Sequence, residues 1–278
     1  MTTIGRMRRV LTVTGLALVA ITAGRSLHAE DRTEVMGTSV RLIVGEKHGA
    51  IVDAGLAIDL EPGWKTYWRY PGDSGVPPVI DSAGSVNVAA FSIDYPAPER
   101  FREGADQTIG YHGPVVLPLR VTLADPGKPA KLHVHAFLGV CRDICVPVDV
   151  TLERRVDPTA QPIASEASEI VAAEKRVPVP AKAGEPFSVV RLTSDDTVKP
   201  PVASVIIKAP SDALADVFVE GPEGWALPLP ERGATTGETT SWRLALDGLP
   251  SGAKAHGAAL TFTIVGRDRA TVQTLTLD

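Results

Sequence analysis

Beyond the first thirty or so residues, the apolar segments of this sequence are short, rich in Val, Ile, Leu and Thr, and broken at close intervals by glycine or proline. Gly and Pro together supply 48 of 278 residues. Helices need longer unbroken runs, whereas a strand needs only a few alternating residues between turns. Candidate strands lie at 39–44, 54–60, 64–70, 86–95, 115–123, 132–138 and 146–152. Seven short strands separated by turn signals predict an antiparallel β-sandwich.

The pattern breaks between Arg155 and Pro186. Residues 164–176 are rich in Ala and Glu, begin near Ser165-Glu166 and end at Lys175-Arg176 before Pro178, which are helix start and stop signals. The proline-rich flanks, 157–162 and 178–186, read as linker. Strand patterns then return at 187–192, 203–208, 216–219, 241–246, 260–265 and 272–277. The expected fold is all-β: one immunoglobulin-like sandwich over 30–155, a linker with a short helix over 156–186, and a second, smaller sandwich over 187–278.

The first 29 residues differ in kind. Arg6, Arg8 and Arg9 precede an apolar run from Val10 to Ala23, and Ser26-Leu27-His28-Ala29 precedes Glu30. This is the pattern of a secretory signal peptide cleaved after Ala29, since the apolar run is short for a membrane span. The expected location is the bacterial periplasm, with no membrane span in the mature chain. Its removal leaves 24 basic against 33 acidic residues. That acidic balance argues against nucleic acid as a partner.

The only two cysteines stand in Cys141-Arg142-Asp143-Ile144-Cys145. Outside the cytoplasm such a pair can be a structural disulfide, a redox-active one or part of a soft-metal site. As a staple it is weak: closing so short a loop stabilises by roughly 2 kcal/mol in the chain-entropy model. His133 and His135 alternate on the strand before it and share a face. With Cys141 and Cys145 they form a possible two-nitrogen, two-sulfur set for zinc or cuprous copper.

Four of the eight Trp and Tyr residues fall within Trp64-Lys65-Thr66-Tyr67-Trp68-Arg69-Tyr70. On a strand, Trp64, Thr66, Trp68 and Tyr70 line one face and Lys65, Tyr67 and Arg69 the other. One reading is a core strand; the other has some of these aromatics walling the cysteine pair. Residues 96–107 are polar and non-periodic, a long loop in which Phe101 is the sole large apolar residue.

Several of these motifs carry a family resemblance. Gly63 to Arg69, the Pro71-Gly72-Asp73-Ser74-Gly75 loop, Ile109-Gly110-Tyr111 and Gly139-Val140-Cys141-Arg142-Asp143-Ile144-Cys145-Val146-Pro147 resemble the periplasmic N-terminal region of the DsbD/ScsB thiol:disulfide interchange proteins. The ScsB branch, associated with suppression of copper sensitivity, matches best. The resemblance covers Val40 to about Leu152 and, more loosely, the rest of the mature chain.

It implies an immunoglobulin-like domain whose Cys141–Cys145 pair takes electrons from a membrane partner and passes them to periplasmic thioredoxin-like proteins, with Cys145 engaging the partner. It also implies an aromatic cap over the disulfide, for which Phe101 in the 98–109 loop is the candidate. Tyr67, Trp68 and Tyr111 are further cap or docking candidates. The cysteine spacing is narrower than in the DsbD branch. The family's membrane and thioredoxin-like domains do not follow in this sequence, so a separate membrane electron donor is expected.

The expected function is therefore thiol:disulfide interchange without a cofactor. Two other readings stand beside it: a copper-handling protein using Cys141, Cys145, His133 and His135, and a structural pair of sandwiches with an inert disulfide.

Overall fold

The computed structural model describes residues 31–104, 106–210 and 212–278. The expected signal peptide lies outside the described residues. In chain order the strands of the first half are β1 (Arg32–Val35), β2 (Thr38–His48), β3 (Ile51–Leu60), β4 (Lys65–Gly72), β5 (Val79–Asp81) and β6 (Val88–Ile93). They continue as β7 (Glu99–Glu103), β8 (Asp106–His112), β9 (Val115–Leu123), β10 (Ala130–Cys141) and β11 (Cys145–Val156).

These strands form two sheets, ordered β1-β2-β3-β9-β6 and β11-β10-β4-β8-β7, with β5 added beside β10. The architecture is an immunoglobulin-like β-sandwich, as expected. Alternation sets the inward faces. On β10 Leu132, Val134, Ala136, Leu138 and Val140 are buried while Lys131, His133 and His135 point outward. They meet Leu42, Leu56, Ile58, Leu117 and Leu119 of the opposite sheet in one core.

The helix α1 (Ala164–Glu174) follows. It is not a free linker element. Ile170 packs on Ile43 and Ala57, outside the first sheet, where Gly45 and Gly55 leave room for it. Glu166 accepts from the Val44 amide and from Arg154, and Glu169 pairs with Arg41 at 2.9 Å.

The second half holds β12 (Val179–Pro180), β13 (Ser188–Asp195), β14 (Val202–Lys208), β15 (Leu214–Glu220), β16 (Glu231–Thr236), β17 (Thr239–Ala245), β18 (Ala259–Gly266) and β19 (Ala270–Thr276). Their sheets run β12-β19-β18-β15 and β13-β14-β17-β16 around a separate core that includes Val217, Val219, Phe262 and Leu244.

The two sandwiches are joined through β15. Phe218 belongs to the core cluster of the first sandwich and packs on Trp68, ring centroids 6.0 Å apart. On either side of it Asp216 and Glu220 each hold an arginine of the first sandwich, Arg100 and Arg69. Tyr70 donates from its hydroxyl to the Leu227 carbonyl at 2.6 Å.

The expectation of a long loop over 96–107 is corrected. Residues 99–103 and 106–112 are the paired strands of the hairpin β7–β8. Its polar sequence hid it because Arg100, which a solvent-facing loop would expose, is instead partly buried against Asp216, 116 positions away.

Candidate redox site

Strands β10 and β11 are a continuous hairpin in which Cys141 and Cys145 are the last paired residues. Their sulfurs are bonded, with Cα atoms 4.1 Å apart, and residues 142–144 form the tip. The hairpin turns here because Arg142 donates its amide to the Ile144 carbonyl at 3.1 Å. Arg142 lies over the Trp64 ring and pairs with Asp143. Ile144 stands 62 % exposed at the tip.

The two sulfurs are not equivalent. Cys141 is 1 % exposed, whereas Cys145 is open to solvent. The Tyr67 hydroxyl donates to Cys141 Sγ at 3.1 Å and lies 3.7 Å from Cys145 Sγ. Burial raises the Tyr67 pKa above its ordinary value, so the phenol keeps its proton at neutral pH.

Tyr67 reaches the sulfurs because β4 pairs with the end of β10, with Thr66 opposite Val140 and Lys65 opposite Cys141. The Thr66 hydroxyl donates to the Gly139 carbonyl at 2.9 Å and fixes this register. Gly139 matters for its missing side chain: a Cβ there would sit 3.1 Å from the Tyr67 ring and 3.0 Å from Val76. A side chain there would press on the ring that bears the hydroxyl, which would have to give by a few tenths of an ångström.

Lys65 is buried beside this site, its ammonium 6.0 Å from the Tyr67 ring centre and 5.7 Å from that of Phe101. Burial lowers its pKa from the usual lysine value. Phe101, 8 % exposed, stacks on His112 with centroids 4.2 Å apart. Lys65 also pairs across the sheet with His112. Disulfide, Lys65 and His112 thus form a row across three neighbouring strands, with Phe101 folded over its far end.

The other aromatic candidates point elsewhere. Trp68 is fully buried on the opposite face of β4 against Phe218, and presents no surface to a partner. Tyr111 is buried and donates to the Pro96 carbonyl at 2.8 Å, anchoring the chain entering β7. Sequence reasoning missed Lys65, Val76, His112 and Gly139 as parts of the site. The glycine was legible as the residue two before Cys141; the others needed the strand register.

His133 and His135 do share the outward face of β10, but they lie away from the cysteines. His135 sits between Asp149 at 2.8 Å and Asp81 at 3.3 Å, and those hydrogen bonds, Asp149 first, raise its pKa. His133 is 3.9 Å from Glu153. The six-residue step from His135 to Cys141 spans about 20 Å of extended strand, so the four residues do not converge on one ion. Among the described residues, no group of three or more His, Cys, Asp or Glu could hold a metal ion.

An immunoglobulin-like sandwich with one exposed and one buried sulfur at a hairpin tip defines a class: a β domain with an addressable disulfide. Residues 41–157 match the family model described as "Thiol:disulfide interchange protein DsbD, N-terminal", so this part of the chain is a DsbD-type N-terminal domain. The chain is similar in fold to the N-terminal periplasmic domain of ScsB from Proteus mirabilis, with a TM-score of 0.70 and 22 % identity. That alignment covers 88 % of this chain and 96 % of the other, so the likeness extends through both sandwiches. No curated protein matches the sequence. Among the described residues, no helix is long and apolar enough to cross a membrane.

Proposed function

We propose that the chain is a periplasmic thiol:disulfide interchange protein, exported by a signal peptide cleaved after Ala29, that relays electrons between a separate membrane donor and thioredoxin-like proteins through Cys141 and Cys145. The observation that carries this reading is the asymmetry of the disulfide, in which Cys145 is open and Cys141 is buried under a phenol. An inert staple needs no such difference.

In the oxidised state a donor thiolate attacks Cys145 Sγ. The Cys141–Cys145 bond breaks, a mixed disulfide forms, and Cys141 departs with the electron pair as a thiolate. Tyr67, already donating to that sulfur, stabilises the departing charge. The donor's second thiolate then attacks its own sulfur in the mixed disulfide and releases Cys145, so two electrons have passed to this chain and the donor is oxidised. Delivery is the reverse sequence: the Cys145 thiolate attacks an acceptor disulfide and Cys141 resolves the intermediate. Ile144, exposed beside Cys145, supplies apolar contact for either partner.

The test is the reduction potential of the pair, measured by equilibrating the protein in graded glutathione or dithiothreitol buffers, alkylating free thiols and weighing the products. The expected value lies between roughly −180 and −270 mV, the range of exchange proteins. A value below about −300 mV marks a structural disulfide and removes the interchange reading.

Tyr67→Phe is expected to make the pair harder to reduce. One hydrogen bond to the developing thiolate is worth about 1 kcal/mol, so the potential falls by about 20 mV. The same titration reads it, and an unchanged potential shows that the hydroxyl contributes nothing to the reduced state.

A further inference from the structure

We infer that one face of β15, made of Asp216, Phe218 and Glu220, is a positioning element for the disulfide, holding β4, which places Tyr67 on the sulfurs, and β7, which carries Phe101. The inference rests on the interchange reading above and assigns the second sandwich a part in it.

The geometry is specific. Residues 216, 218 and 220 alternate on a strand and therefore point the same way, while Val217 and Val219 point back into the second core. Asp216 receives two hydrogen bonds from Arg100, at 2.9 and 2.7 Å. Glu220 receives two from Arg69, also at 2.9 and 2.7 Å. Phe218 fills the space between against Trp68. Both ion pairs are forked and partly buried, the arrangement in which arginine fixes orientation as well as charge.

Each arginine belongs to a strand that carries a residue of the site. Arg100 precedes Phe101 on β7, and successive side chains on a strand take opposite faces. The side that points away from the site is thereby tied to β15, and Phe101 is left facing His112 and Lys65. The remaining Arg100 donors go to Gln107, the Pro230 carbonyl and the Val217 carbonyl, so the guanidinium is held from three directions. Arg69 lies two residues after Tyr67 on β4, and its guanidinium also stacks on Trp68 at 4.1 Å.

Consequently the placing of the Tyr67 hydroxyl on the Cys141 sulfur is only as rigid as the grip on β15. Loosening it lets the Tyr67 ring move off that sulfur and removes the hydrogen bond that stabilises the departing thiolate.

The experiment uses the full mature chain and compares the parent with Asp216→Asn/Glu220→Gln, which keeps shape and removes both charges. Arg41→Gln, which breaks an ion pair between the far sheet and α1, is the control for general destabilisation. The oxidised proteins react with excess dithiothreitol, and the rate of Cys141–Cys145 reduction is read by alkylation and mass.

The expected result is reduction about fivefold slower in the double variant, the rate equivalent of one lost hydrogen bond to the leaving thiolate, and unchanged within about twofold in the control. A parental or faster rate in the double variant overturns the positioning role, and so does an equal slowing in the control. If the double variant does not fold, Glu220→Gln alone, which frees Arg69 on the strand of Tyr67, is judged by the same criteria. Because no protein partner takes part, a negative result leaves the interchange reading standing; that reading falls on the potential instead.

Discussion

Cys145→Ser is expected to abolish disulfide exchange completely, while Cys141→Ser converts the protein into a trap. In the first variant the remaining thiol is Cys141, which is almost wholly buried beneath Tyr67 and out of reach of a partner's disulfide. In the second, Cys145 is an exposed thiol that attacks a partner disulfide, but nothing is left to resolve the product. A stable mixed disulfide accumulates, visible on a non-reducing gel and by mass. Both variants remain folded, because a bridge closing so short a loop contributes only roughly 2 kcal/mol. Trapping by Cys145→Ser rather than Cys141→Ser would reverse the assignment of the entry sulfur.

Phe218→Ala is expected to cost about 3–5 kcal/mol, the range for removing a fully buried aromatic ring. The ring has no exposed surface, although it sits where two separately cored units meet. It lies against Trp68, and the Arg100 guanidinium is 5.9 Å from its centre. Both units should feel the cavity. Urea unfolding followed by tryptophan fluorescence reads the loss, with Trp64 and Trp68 reporting one sandwich and Trp225 and Trp242 the other. The variant is expected to show two transitions where the parent shows one, because the joint core that couples them is gone. A loss under about 1 kcal/mol with a single transition would show that the sandwiches are coupled by other contacts.

Much of this was readable from the chain because burial follows alternation wherever a strand has one wet face. The candidate strand 115–123 coincides with β9, whereas the candidate 132–138 stops three residues before the end of β10. That shortfall had a consequence. With the strand read as stopping at Leu138, a turn could have brought His133 and His135 round to the cysteines; since it runs unbroken to Cys141, they are held apart. The alternation of residues 64–70 was also legible, but which face meets the sulfurs depends on pairing Lys65 with Cys141, a long-range register that local pattern does not encode. The β7–β8 hairpin was invisible for a related reason. Its one inward-turned arginine, Arg100, is satisfied by a strand over a hundred positions away, whereas a polar run of this kind reads in sequence as solvated.

The docking of α1 changes how the two sandwiches can part. The helix belongs mechanically to the first unit, and Val179 already pairs with Thr271 in the second. Only residues 175–178 lie between the end of the helix and that pairing, so the five steps from Glu174 to Val179 span at most about 18 Å when fully drawn out. Should the arginine forks on β15 open, the second sandwich therefore cannot diffuse away. It stays at an effective concentration in the millimolar range or higher and recloses as an intramolecular event. The contact can in this way be weak enough to yield to a docking partner and still be closed at rest.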